Sequence, residues 1–176
     1  MIKFKNLIIT LLTLAIVLSF TGESAKAADY SKNIRYAKQS LDTQISDLPP
    51  NAKLAEVFNN PNIPAAQKAQ IAKEQLRGVV VDWILPISSL EPYENTYVVK
   101  TPNVNKSVVG TMTFIVPMND DDVKMLKKAR PGDWIQFRGA IVSTSKNFPD
   151  VLMLDPAILI GDKILRRDNN GKFVKL

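Results

Sequence analysis

Ala129-Arg130-Pro131-Gly132-Asp133-Trp134-Ile135-Gln136-Phe137-Arg138-Gly139-Ala140-Ile141-Val142 holds a turn, a strand and a break in that strand within one short run. Proline presets φ and glycine is free to take positive φ, so Pro131-Gly132-Asp133 reads as a turn. After it Ile135, Phe137 and Ile141 alternate with Gln136, Arg138 and Ala140, the two-residue period of a half-buried strand. Trp134 shares the parity of Gln136 and Arg138, which predicts an outer position on this strand, under the N-terminal helix. Gly139 interrupts the pattern. A glycine weakens a strand unless the chain must bend sharply or pass close to another backbone, as the strands of a small closed barrel do. The stretch is therefore read as the fourth strand of a five-stranded barrel.

Upstream, Asn119-Asp120-Asp121-Asp122 precedes Val123, Met125, Leu126 and Ala129, with Lys124, Lys127, Lys128 and Arg130 towards the other end. Acids at the start and cations at the end of a helix complement its orphan N–H groups and its dipole. The run lacks the glycine and the bidentate glutamate of a calcium loop, so no metal is assigned to it. Before this helix, Leu76–Leu85, Thr96–Thr101 and Val108–Val116 read as strands, with a loop over Pro86–Asn95. If Lys100 faces outward, so do Thr96 and Val98, with Tyr97 and Val99 inside. In the third strand Met112 and Phe114 are expected to fill the barrel, which puts Thr111 and Thr113 on its outer face. Downstream, Ser143–Asp150 is a polar loop carrying Lys146 and Phe148. Val151–Ile160 is a fifth strand, interrupted by Asp155-Pro156 at an edge or bulge. Asp168-Asn169-Asn170-Gly171, flanked by Ile164-Leu165 and Phe173-Val174, is a hairpin signal.

Residues 1–27 read as a secretory signal peptide: Lys3 and Lys5, an apolar run from Leu7 to Phe20, then Ala25-Lys26-Ala27 as the processing site. Cleavage is expected between Ala27 and Ala28, with no membrane span thereafter and no lipid-bearing cysteine. Residues 28–75 read as a helical segment. Ile34, Ala37, Leu41, Ile45 and Leu48 form one helical stripe, ended by Pro49-Pro50. A short apolar turn follows at Leu54, Val57 and Phe58, then a third helix from Ala65 to about Glu74. The barrel takes residues 76–161, and residues 162–176 form a basic tail or hairpin.

Cysteine and histidine are both absent from the 176 residues. That excludes disulfides, thiolate nucleophiles, imidazole bases and every metal or haem site built from those ligands. No cofactor is expected. Basic residues number 23 and acidic residues 17. Residues 28–162 carry equal numbers of each, and the excess after the leader lies in Lys163, Arg166, Arg167, Lys172 and Lys175. The basic character thus belongs to a tail, where Arg166, Arg167 and Lys172 are candidate docking residues, and not to the domain.

Three strands, a short helix and two more strands is the order of an OB-fold, a Greek-key barrel whose helix plugs one end. More specifically, Leu76–Trp83 (LRGVVVDW), Asp120–Asp133 (DDDVKMLKKARPGD) and Trp134–Val142 (WIQFRGAIV) resemble the anticodon-binding-like OB domains of small exported bacterial proteins. The resemblance covers about residues 76–161. It implies a mainly β chain with a helical N-terminal extension. Domains of this kind take nucleic acid, sugars, peptides or proteins, so the ligand is left open.

An OB-fold ligand would meet the outer face of strands two and three and the flanking loops. That selects Tyr93, Thr96, Lys100, Thr111, Thr113, Arg138, Lys146 and Phe148. Read this way the face is rich in hydroxyls and lacks an aromatic platform, and a neutral domain lacks the basic groove that single-strand binders use. The favoured function is a non-enzymatic periplasmic adaptor engaging a protein or envelope component. Single-stranded nucleic-acid binding is the alternative. Asp82, Glu91 and Glu94 show no spacing that would poise an acid against a base, so no catalytic residue is assigned.

Overall fold

The computed structural model describes residues 31–103 and 107–176, without the side chain of residue 52. The expected signal peptide lies outside the described residues. Helix α1 covers residues 31–41. It is followed by β1 (Ile45–Ser46), α2 (Ala52–Phe58) and α3 (Ala65–Ile71), which runs into a π-helical turn (Ala72–Leu76). Then come β2 (Val80–Pro86), β3 (Ser89–Tyr93), β4 (Thr96–Thr101), β5 (Gly110–Ile115), α4 (Asp120–Lys128), β6 (Trp134–Thr144), β7 (Val151–Arg167) and β8 (Phe173–Lys175). The chain is mainly β, in one mixed sheet of eight strands. Among the described residues no helix is long and apolar enough to cross a membrane.

Eight strands replace the five expected, for three physical reasons. Ser89–Tyr93, read as loop from its serines and Pro92, pairs with β4 in the register Leu90↔Val99 and Tyr93↔Thr96. Pro92 is tolerated because β3 ends the strand path and its missing N–H faces no further strand. The stripe assigned to one N-terminal helix stops at residue 41, because Ile45 and Ser46 pair in parallel with Val80 and Val81. Finally, the tail forms the hairpin its sequence signals, Arg167 pairing with Phe173 across the turn, but its first arm is the continuation of β7, so the boundary expected at residues 161/162 falls inside a strand. Ile164, beyond that boundary, is fully buried opposite Ile135.

Hydrogen bonds follow the path β1-β2-β6-β7-β5-β4-β3. β2 and β3 stand towards opposite ends of that path, yet only Ile87 and Ser88 separate them in sequence. The Ile87 N–H donates to the Asp133 carbonyl (2.7 Å), beside β6, and the Ser88 N–H to the Lys100 carbonyl (2.8 Å), in β4. The chain changes partners between adjacent residues, and the sheet returns on itself. Inside it Leu85, Ile115, Ile135, Phe137, Leu152 and Leu154 are buried, with Leu126 of α4. Each such side chain contributes about 1.5–3 kcal/mol. Trp83 packs edge-on against Phe137 (6.5 Å) and donates its indole N–H to the Leu48 carbonyl (2.8 Å), which ties the N-terminal segment to the sheet.

The break at Gly139 is a close approach. A Cβ there would lie 3.1 Å from Ala157 Cβ and 3.2 Å from Leu154 Cδ2. β7 bulges at this level: its register shifts between Thr113 and Ile115 on one side and between Gly139 and Ile141 on the other, which accommodates Asp155-Pro156 inside the sheet. α4 starts as its acids suggest, although Asn119 is the capping residue. Its Oδ1 accepts the Asp122 N–H (2.9 Å), and Asp122 Oδ2 accepts the Met118 N–H (2.9 Å).

Candidate functional site

The pairing of β3, β4 and β5 sets side chains of one parity on the outer face in cross-strand rows. One row is Glu91, Val98 and Phe114; the next is Ser89, Lys100 and Met112, extended by Met153 of β7. Thr96, Val98 and Lys100 are half-buried on this face while Tyr97 and Val99 are buried, as the alternation predicts. In β5 the expected parity is inverted. Thr111 and Thr113 are fully buried, and Met112 and Phe114 face outward.

The inversion has a cause. Val109 and Ile115 share the parity of the two threonines, and both are fully buried. The hydroxyls of Thr101, Thr111 and Thr113 join in an internal chain, Thr101 to Thr111 at 2.9 Å and Thr111 to Thr113 at 3.1 Å, and Thr101 Oγ1 also accepts the Thr111 N–H. A hydroxyl that finds a partner inside loses little by burial. Thr111 and Thr113 are therefore core residues, and of the two only Thr111 reaches a hollow of the outer face, as part of its floor beside Met112.

What replaces them is apolar and aromatic. Glu91, Pro92, Tyr93, Val98, Lys100, Met112 and Phe114 line a hollow of ≈ 320 Å³, and Lys100 and Met112 also line a second of ≈ 180 Å³ that Phe148 and Val151 close. Tyr93 stands edge-on to Phe114 (6.3 Å, 76°) and is 55% exposed; Phe148 is 54% exposed at the far end. Lys100 and Glu91 are the charges of the groove, one of each sign. Thr96 sits beside it, its hydroxyl donating to the Tyr93 carbonyl (2.8 Å).

The other candidates lie elsewhere. Arg138 sits opposite Asp82 across β6 and β2 and grips both carboxylate oxygens, at 2.7 and 2.9 Å. The hydrogen bond to Asp82 raises the Arg138 pKa, opposed by partial burial and aided by the charge of Asp82. Lys146 faces a different cleft, beside α3. Arg166 is committed to Asp133, and Arg167 lies over the Phe173 ring at 4.9 Å, while Lys172 is exposed. Trp134 is half-buried against Phe173 of β8 (5.7 Å) instead of the N-terminal helix. The tail is thus built into the sheet, and two of its three candidate docking cations are occupied within the chain. Sequence reasoning placed Val98 on this face but missed Met112, Phe114 and Met153 as surface. The one available signal was the pair Val109 and Ile115, whose parity places the threonines inside.

No family model matches the chain, and no curated protein does. Among solved structures it is similar to OBody AM3L15 bound to hen egg-white lysozyme, at 13% identity over 53% of this chain and 86% of that one, with a TM-score of 0.33. A second likeness is the S. pombe Stn1-Ten1 complex, at 19% identity over 52% and 60%, with a TM-score of 0.29.

Proposed function

We propose that the protein is an exported, non-enzymatic adaptor whose outer β3-β4-β5 face takes an extended, apolar segment of a protein or envelope partner in the periplasm. The observation that carries this reading is the composition of the face. Tyr93, Val98, Met112, Phe114 and Phe148 offer apolar contact, and thioether and ring side chains adapt to varied partners. One lysine and one glutamate suit a neutral segment better than a polyanion. An OB-fold barrel is supported by three features: β2 and β3 as halves of a first strand, α4 between the third and fourth, and the parallel pairing of β5 with β7. Together with the sequence resemblance, they favour an anticodon-binding-like OB domain. Export rests on residues 1–27, and the non-enzymatic reading on the residue types absent from the chain.

The rings of Tyr93, Phe114 and Phe148 also favour a second reading, single-stranded nucleic acid, since bases stack on such rings. The near-neutral groove argues against it. A photoreactive residue in place of Phe114, in the cells that export the protein, tests the first reading. A discrete adduct with an envelope protein is expected, abolished by Met112→Asp and unaffected by Lys127→Glu on α4. An adduct that survives Met112→Asp, or none at all, overturns it. Oligonucleotide binding at low ionic strength that Phe114→Ala removes would establish the second reading.

A further inference from the structure

A second cleft, of ≈ 670 Å³, lies between α3 with its π-turn and the end of β6 with the following loop. Ala65, Ala66, Ala69, Val142 and Pro149 give it apolar walls, and its charged residues are Lys73, Arg77 and Lys146. All three cations are exposed, and none makes an ion pair with a described residue. Of the neighbouring carboxylates, Asp150 is paired with Lys68; Glu74, exposed to solvent, accepts a hydrogen bond from the neutral Gln70 amide (3.0 Å) and pairs with none of the three cations.

Two further observations make this more than a solvated charge cluster. Ser145 lines the cleft and is 8% exposed; its backbone N–H donates to the Val151 carbonyl (3.0 Å), and its hydroxyl has no hydrogen-bond partner among the described residues. The cleft walls are also fixed to each other. Lys68 of α3, 2% exposed, donates to the Phe58 carbonyl (2.7 Å) at the end of α2 and pairs with Asp150 of the β6-β7 loop. Three unneutralised cations and a buried donor beside apolar walls, held in a fixed frame, suit a ligand with an anionic head and a compact apolar body.

We infer that this cleft is a binding site for an organic phosphate, with Lys73, Arg77 and Lys146 on the phosphate oxygens, Ser145 as a hydrogen-bond donor and the alanines against the body of the ligand. The phosphate belongs either to a soluble ester or to the headgroup of an anionic phospholipid. The site is separate from the β3-β4-β5 groove and does not depend on it.

Isothermal titration with glycerol 3-phosphate, and co-sedimentation with phosphatidylglycerol vesicles set against phosphatidylcholine vesicles, test the assignment at low and high salt. The protein and its variants are isolated from cells in the same way. Binding to at least one probe is expected, weakened by salt and by about tenfold or more in the Lys73→Gln, Arg77→Gln, Lys146→Gln triple variant. A control triple variant, Lys124→Gln, Lys127→Gln, Lys128→Gln, removes the same charge from α4 and retains binding. Saturation by glycerol 3-phosphate without vesicle binding assigns a soluble ester; vesicle binding alone assigns the headgroup. Failure of both probes at low salt, or equal losses in the two triple variants, overturns the site.

Discussion

Arg166 of β7 holds both carboxylate oxygens of Asp133, Nε to Oδ1 and Nη2 to Oδ2, each at 2.7 Å, while Asp133 itself is 2% exposed. Burial alone would raise the pKa of Asp133. The hydrogen bonds from the Arg166 side chain and the Arg130 N–H, and then the charges of both arginines, outweigh it and hold the carboxyl below its ordinary 3.8. A carboxylate with a depressed folded pKa contributes stability that is complete above its unfolded pKa and is lost as pH falls through the folded value. In Arg166→Met the carboxylate keeps its burial and loses its strongest partner. The acid-unfolding midpoint, followed by circular dichroism, is expected to move to higher pH, with Arg166→Lys between the variant and the wild type because lysine retains charge without the fork.

Gly139→Ala places a methyl group against Ala157 Cβ and the Leu154 side chain at 3.1 to 3.3 Å. Ala157 and Leu154 flank the β7 bulge, so their backbone has little room to retreat. Denaturant unfolding is expected to show a loss of about 1–3 kcal/mol, the usual cost of overpacking a core. An unchanged midpoint would mean that β7 yields at the bulge.

Thr111→Val removes the middle hydroxyl of the buried chain and leaves the Thr113 hydroxyl without its partner. The cost is expected to be about 1–3 kcal/mol. Adding Thr113→Val is expected to recover part of it, because the stranded polar group is then gone. Equal stability of the single and double variants would show that the Thr113 hydroxyl finds another acceptor.

A chain ending at Asp162 lacks the fully buried Ile164 and the partner of Asp133, and is expected not to fold. A chain ending at Asp168 keeps both, and loses β8 with its Phe173 contact to Trp134. It is expected to retain a cooperative unfolding transition at a lowered midpoint. Cooperative unfolding of the shorter chain would show that the end of β7 is an appendage.

Much of the fold was legible because periodicity and breakers acted together. Thr96–Thr101 was delimited to the residue, and Gly139 marked a bend or a close neighbour, of which the structure shows the close packing of β7 side chains. The illegible parts share one cause, pairing that depends on distant residues. Pro92 punctuates like a loop residue, and only the end position of β3 makes it compatible with a strand. Ile45 continues a helical stripe, and only its pairing with Val80 removes it. At the site, Met112 and Phe114 outrank threonine in hydrophobicity, so the alternation pointed them inward. The mutual satisfaction of Thr101, Thr111 and Thr113, spread over two strands, decided otherwise.

The strand path ends in elements of very modest reach, β1 with two residues and β3 with five, including Pro92 and the exposed Glu91, and β8, which pairs with β7 off that path, has three. Of the longer strands, β4, β5, β6 and β7 have partners on both sides, while β2 beyond Val81 pairs with β6 alone and ends in Pro86. Such blunt margins are poor templates for further strands. The molecule is thereby guarded against edge-to-edge aggregation when crowded, and a partner that docks on the groove must engage its side chains instead of extending its sheet.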